Sequence, residues 1–148
     1  LADVAGEEKR LADVPDDAAT RNALGVAYVQ LGRTGDAVRQ FEATLRVDPA
    51  HAMAHYNLGV IAMAENRAAE AERHLRAALR SRPAYAEAHN NLGVVLESAG
   101  RVAEAEGEYR AALAVRPAHA GAHNNLGRLL LARGALPEAE AAFRAALR

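Results

Sequence analysis

The sequence contains no cysteine and no tryptophan. Without thiols the chain can form neither a disulfide nor a thiolate metal site. A cysteine-free chain can still live in any redox compartment. Aromatic residues make up only 4% of the sequence, so any core must rest on aliphatic and small side chains. Ser81 and Ser98 are the only serines. There is no Gly-rich phosphate loop and no Ser-His-Asp set at a plausible geometry, so the expectation is a non-catalytic chain that needs no cofactor. No apolar run approaches the ~20 residues needed to span a bilayer. The formal net charge is -1, with 18 basic against 19 acidic residues. No field of one sign therefore invites nucleic acid or an anionic membrane surface. Neither is expected as a partner, and the expected compartment is the cytoplasm. The chain begins at Leu1, as a piece processed or excised from something longer would.

What is abundant is Ala, Leu, Arg and Glu, all strong helix formers. The fold class read from this is all-α. The organising stretch is His89-Asn90-Asn91-Leu92-Gly93. It returns as His123-Asn124-Asn125-Leu126-Gly127 and, nearly unchanged, as His55-Tyr56-Asn57-Leu58-Gly59. A divergent first copy reads Arg21-Asn22-Ala23-Leu24-Gly25. Each copy begins 34 residues after the one before. A fixed period of this size marks a solenoid of stacked repeats rather than a globule around one centre.

The period predicts four helix pairs in residues 18–51, 52–85, 86–119 and 120–148. First helices are expected over 18–31, 52–65, 86–99 and 120–133, and second helices over 35–47, 69–81, 103–115 and 137–148. Gly32, Asn66, Gly100 and Gly134 follow the first helices, where a left-handed residue ends a helix. Asp36, Glu70, Glu104 and Glu138 sit in the first turn of each second helix and complement its dipole. Pro15, Pro49, Pro83 and Pro117 stop the second helices. Residues 1–17 read as a capping helix or as the second helix of a truncated repeat. Leu1, Val4 and Leu11 would share the face that covers the first full repeat.

Leu24, Leu58, Leu92 and Leu126 are each followed by a glycine inside the first helix. A mid-helix Gly costs ~1 kcal/mol relative to Ala, so four in register imply a close helix–helix approach. Ala37, Ala71, Ala105 and Ala139 supply the facing small residue. Phe41, Leu75, Tyr109 and Phe143 fill the space one turn on. Gly107 fits no such scheme.

Leu-Gly, then Ala-x3-Phe, then Pro, at a 34-residue period, resembles the tetratricopeptide repeat family. The resemblance covers residues 18–148. The family's frequent Trp is replaced by Arg21, His55, His89 and His123, and its Tyr after Leu-Gly is kept only as Tyr28. The resemblance implies a right-handed superhelix of antiparallel helix pairs. Its first helices would line a concave groove that binds peptides or other proteins.

On the family's groove positions this sequence places Asn22, Tyr56, Asn57, Asn90, Asn91, Asn124, Asn125 and Arg128. Asn is a mediocre helix former, and its amide carries both a donor and an acceptor. Asn57, Asn91 and Asn125 share one repeat position. They resemble the asparagine ladder in the repeat region of O-linked N-acetylglucosamine transferases, which holds a substrate peptide's backbone. Ala23 breaks the ladder in the first repeat. Neighbouring rungs would stand ~8–10 Å apart, and an extended peptide advances ~3.3 Å per residue. One rung would meet roughly every third peptide residue, over a segment of about six to nine. The competing reading is that these amides bond between adjacent helices or face solvent. Val26, Val60, Met63 and Val94 form an apolar stripe beside them, read first as inter-helix packing.

A carboxylate clamp needs converging cations, and Arg128 is the lone basic groove residue, so that family subtype is not expected. His51 with His55, and His119 with His123, stand four apart, a spacing that can serve a metal. No carboxylate lies at a matching interval, and the expectation is no metal site. Two other roles stay open: the substrate-selecting arm of a larger enzyme such as a glycosyltransferase, and a self-assembling scaffold. In the latter, Leu136, Phe143 and Leu147 would form an open apolar end through which a homo-oligomer stacks.

Overall fold

The computed structural model describes residues 3–13 and 17–148. Leu1 and Pro15, which entered the sequence reading, lie outside the described residues. Among those described, nine helices follow one another: α1 Val4–Asp13, α2 Ala18–Gln30, α3 Thr34–Val47, α4 Ala52–Ala64, α5 Ala68–Ser81, α6 Ala86–Ser98, α7 Val102–Val115, α8 Ala120–Ala132 and α9 Leu136–Ala146. The fold is an all-α solenoid. Contacts are densest within the pairs α2/α3, α4/α5, α6/α7 and α8/α9.

Each first helix ends one residue earlier than expected, because its closing turn is a tight double-bonded motif. Arg33 N–H donates to the Tyr28 carbonyl at 2.9 Å and Gly32 N–H to Val29 at 3.0 Å. The same two bonds recur after α4, α6 and α8. This closure needs a residue in the left-handed region. Gly32, Gly100 and Gly134 occupy it at φ 73°, 79° and 82°, and Asn66 at φ 58°.

The mid-helix glycines stand directly under a large side chain. A Cβ on Gly25 would lie 2.5 Å from the Phe41 ring, one on Gly93 2.5 Å from Tyr109, and one on Gly127 2.9 Å from Phe143. On Gly59 it would meet Leu75 at 2.9 Å. The ring or branch one turn after the conserved-register alanine is therefore what the glycine admits. Ala37, Ala71, Ala105 and Ala139 are buried beside it. Phe41, Leu75 and Tyr109 are fully buried. Burying a Leu or Phe side chain contributes roughly 1.5–3 kcal/mol each. Gly107 has open space around it, which explains why it shares no partner pattern.

Helix α1 packs against α2. Val4 and Leu11 pack against the cluster of Leu24, Tyr28, Phe41 and Leu58. The Tyr28 hydroxyl donates to Glu8 at 2.6 Å. A second cluster runs from α4 to α9 through Leu75, Leu92, Leu96, Tyr109 and Leu126.

Successive first helices approach one another closely, α2 on α4, α4 on α6, and α6 on α8, whereas the backbones of successive second helices stand farther apart. The row is tighter on the first-helix side. It therefore bends toward that side, and the first helices line the concave face.

Candidate functional site

The candidate site is the concave face of α4, α6 and α8. Residues three and four apart share a helical face, so Asn57 with Val60, Asn91 with Val94, and Asn125 with Arg128 stack along three neighbouring helices. Each ladder amide donates to the residue one position earlier on the previous first helix. Asn57 Nδ2 donates to Asn22 Oδ1 at 3.4 Å, Asn91 Nδ2 to the Tyr56 hydroxyl at 3.1 Å, and Asn125 Nδ2 to Asn90 Oδ1 at 3.0 Å. These inter-helix bonds stitch consecutive repeats together.

An Asn amide has two N–H donors and a carbonyl with two lone pairs. One donor of each ladder residue is spent on the stitch. Asn57 and Asn91 keep their carbonyl oxygens and second N–H without a partner among the described residues. The Asn125 carbonyl accepts a 3.4 Å bond from Arg128 Nη1. All three side chains are half-buried. The stitch fixes their rotamers, so a ligand meeting the remaining groups would not have to order them.

The other candidates divide. Asn22 is buried at 6% exposure and works beneath the surface as the support of Asn57. Asn90 supports Asn125 in the same way and is half-buried; Asn124 is exposed and forms no side-chain hydrogen bond. Tyr56 is half-buried, and its ring stacks on Tyr85 with centroids 4.9 Å apart. Burial raises the Tyr56 phenol, so it stays protonated at neutral pH. Tyr85 is pushed up to about 12 by burial first, then by Tyr56.

Arg128 is not a free cation. Its guanidinium holds Glu97 at 3.1 and 3.2 Å, and Glu97 also accepts the Tyr109 hydroxyl at 2.7 Å. Burial and that carboxylate raise the Tyr109 phenol. The second acidic groove residue, Glu87, pairs with Arg116 at 2.5 Å. Its own backbone N–H and Arg116 hold its carboxyl below the usual range against the opposing effect of burial. The groove is thus charge-compensated and amide-rich.

The apolar stripe behaves as packing at Val26, Met63 and Val94, which join the core clusters. Val60 is the exception at 37% exposure. A cleft of about 170 Å³ is lined by Met63, Asn66, Ala68, Val94, Val95 and Ser98.

The histidines have structural duties that their spacing alone did not reveal. His51 and His119 cap α4 and α8: each Nδ1 accepts a backbone N–H, from Ala54 and Ala122, at 3.1 Å. His55, His89 and His123 each bond through Nε2 to a proline carbonyl of the preceding turn, Pro49 at 2.9 Å, Pro83 at 2.8 Å and Pro117 at 2.7 Å. Among the described residues no three His, Asp or Glu side chains converge as a metal site would require.

A tetratricopeptide repeat family model matches residues 22–73, 62–114 and 98–148. The chain belongs to the tetratricopeptide repeat family. Among solved structures it is similar to MamA, with 26% identity over 97% of this chain and 84% of that one, at a TM-score of 0.84. It is also similar to MamA residues 41-end from Desulfovibrio magneticus RS-1, at 22% identity, 97% and 81% coverage and a TM-score of 0.82. Pseudomonas aeruginosa PilF aligns at 20% identity over 95% of this chain and 64% of that one, at a TM-score of 0.88. The last two likenesses speak to the fold alone. No curated protein matches the chain in sequence. As a tetratricopeptide repeat protein it is a protein-interaction scaffold. Among the described residues no helix is long and apolar enough to cross a membrane.

Proposed function

We propose that the scaffold binds an extended peptide or unstructured protein segment on the concave face of α4, α6 and α8, without catalysing a reaction. The observation that carries this is the row Asn57, Asn91, Asn125, each held by its stitch to the previous helix. An amide offering both C=O and N–H can bond an extended backbone whatever its side chains are. Ion pairing of Arg128 and Glu87 leaves no net cation or anion to demand a charged ligand. The 170 Å³ cleft at Met63 and Val94 would seat one apolar side chain of the segment.

The test is capture from a peptide library by the wild type and by an Asn57/Asn91/Asn125→Ala triple variant of matched helicity. The wild type is expected to enrich extended segments that the variant loses; equal capture by both would end the proposal. The same groove chemistry would serve if the chain were the substrate-selecting arm of a larger enzyme.

Self-association is a second reading, favoured by Leu136 and Leu147, exposed at 59% and 87%; Phe143, expected beside them, is instead half-buried against the core cluster. Sedimentation should then show mass rising with concentration, and a persistent monomer would contradict it.

A further inference from the structure

A ladder of identical amides fixes no register. Neighbouring rungs stand ~8–10 Å apart, so a segment shifted by about three residues would meet the same groups again. Binding in one register needs a feature that breaks this equivalence, and the spaces between the rungs contain one.

Asn57, Asn91 and Asn125 bound two spaces, one between α4 and α6 and one between α6 and α8. The first holds the cleft of about 170 Å³, walled by Met63 and Ala68 on one side and by Val94 and Val95 on the other. An apolar cavity of ~150 Å³ is large enough for a benzene ring. In the second space, Glu97 stands one repeat after Met63, and Arg128 one repeat after Val94. Their side chains join across it at 3.1 and 3.2 Å. Glu97 also accepts from the buried Tyr109 hydroxyl at 2.7 Å, and Arg128 donates to the Asn125 carbonyl at 3.4 Å. An apolar side chain laid there would strip water from this pair or break it, and burying charge without full compensation is unfavourable. The same two wall positions therefore admit an apolar side chain in one space and reject it in the next.

We propose that this alternation sets the register of the bound segment, an inference that rests on the groove reading above. Met63 and Val94 select one large apolar side chain, up to a ring in size. Glu97 and Arg128 demand a small or polar residue about three positions away, toward α8. The partner is thus an extended segment with a single apolar anchor, and these four residues determine its specificity while the ladder holds its backbone.

The test is an alanine scan of a peptide captured by the wild type, repeated on two variants. With the wild type, affinity should fall about tenfold or more at one apolar position and little at the other side chains. Met63→Glu/Val94→Arg copies the charged pair into the first space and should erase that preference. Glu97→Met/Tyr109→Phe/Arg128→Val copies the apolar walls into the second, and a second apolar preference should appear about three residues from the first. Tyr109→Phe is included because the hydroxyl would otherwise lose its acceptor; Phe41 and Phe143 fill the same position in other repeats. Should one variant lose helicity, the other and the wild-type scan still decide. Several equal apolar positions or none in the wild type, an anchor preference that survives Met63→Glu/Val94→Arg, or no second preference in the other variant would overturn the register while leaving the ladder in place. Equal capture by the wild type and the Asn57/Asn91/Asn125→Ala variant would instead end the groove reading, and the register with it.

Discussion

Asn91 donates from its amide to the Tyr56 hydroxyl at 3.1 Å, across 35 residues of sequence and from one repeat to the next. The bond joins a groove position to a structural one. Loss of one partner leaves a half-buried hydroxyl unmet, so Asn91→Ala should cost about 1 kcal/mol of stability. Asn124, exposed and bonded to nothing, should change stability by less than ~0.5 kcal/mol when truncated. Urea denaturation of the two variants checks this.

The two kinds of mid-helix glycine should respond with opposite signs. In Gly93→Ala the new Cβ would lie 2.5 Å from Tyr109, and such overpacking typically costs about 1–3 kcal/mol. Gly107 has open space, so Gly107→Ala should stabilise α7 by up to ~1 kcal/mol through helix propensity alone. A shared sign for the pair in thermal melts would contradict the packing described.

At the closing turns, Asn66 is the one non-glycine residue held at positive φ, 58°. Asn66→Gly should raise stability by roughly 0.5 kcal/mol, while Gly100→Ala should lower it by about 1 kcal/mol. Thermal denaturation of both tests whether backbone conformation governs these positions.

His74 lies half-buried, with its Nδ1 3.1 Å from His55 Nδ1. Burial, then the nearby His55 and Arg73, lower its affinity for a proton. His119 is lowered likewise by burial and Arg116. The unfolded chain therefore binds these protons more tightly than the folded one. The stabilisation is present above the ordinary imidazole value of ~6.5 and is lost as pH falls below it. The urea midpoint should drop between pH 7.5 and 5.5, and His74→Gln should flatten that slope.

Much of the fold was legible because it is local and periodic. Gly32, Gly100 and Gly134 mark helix ends through their own φ, and Leu-Gly in register marks the close approach of each pair. The site was legible only by position. The sequence places Asn57, Asn91 and Asn125 on one face, but an amide's neighbours 35 residues away depend on how the repeats stack. Asn22 and Arg128 show the same gap: one is buried under Asn57, the other is taken by Glu97. The duties of the histidines stayed hidden for the same reason. Their partners, a proline carbonyl or a helix N–H, are backbone groups that no side-chain pattern displays.

The central claim is that the ladder grips a peptide through its backbone. It is tested most directly on a peptide captured by the wild type, with single N-methyl groups walked along its amides. Affinity should fall about tenfold at positions recurring every third residue, where an N–H meets a ladder amide. Those losses should vanish in the Asn57/Asn91/Asn125→Ala background. Losses that follow only side-chain changes, with no period along the backbone, would contradict the account.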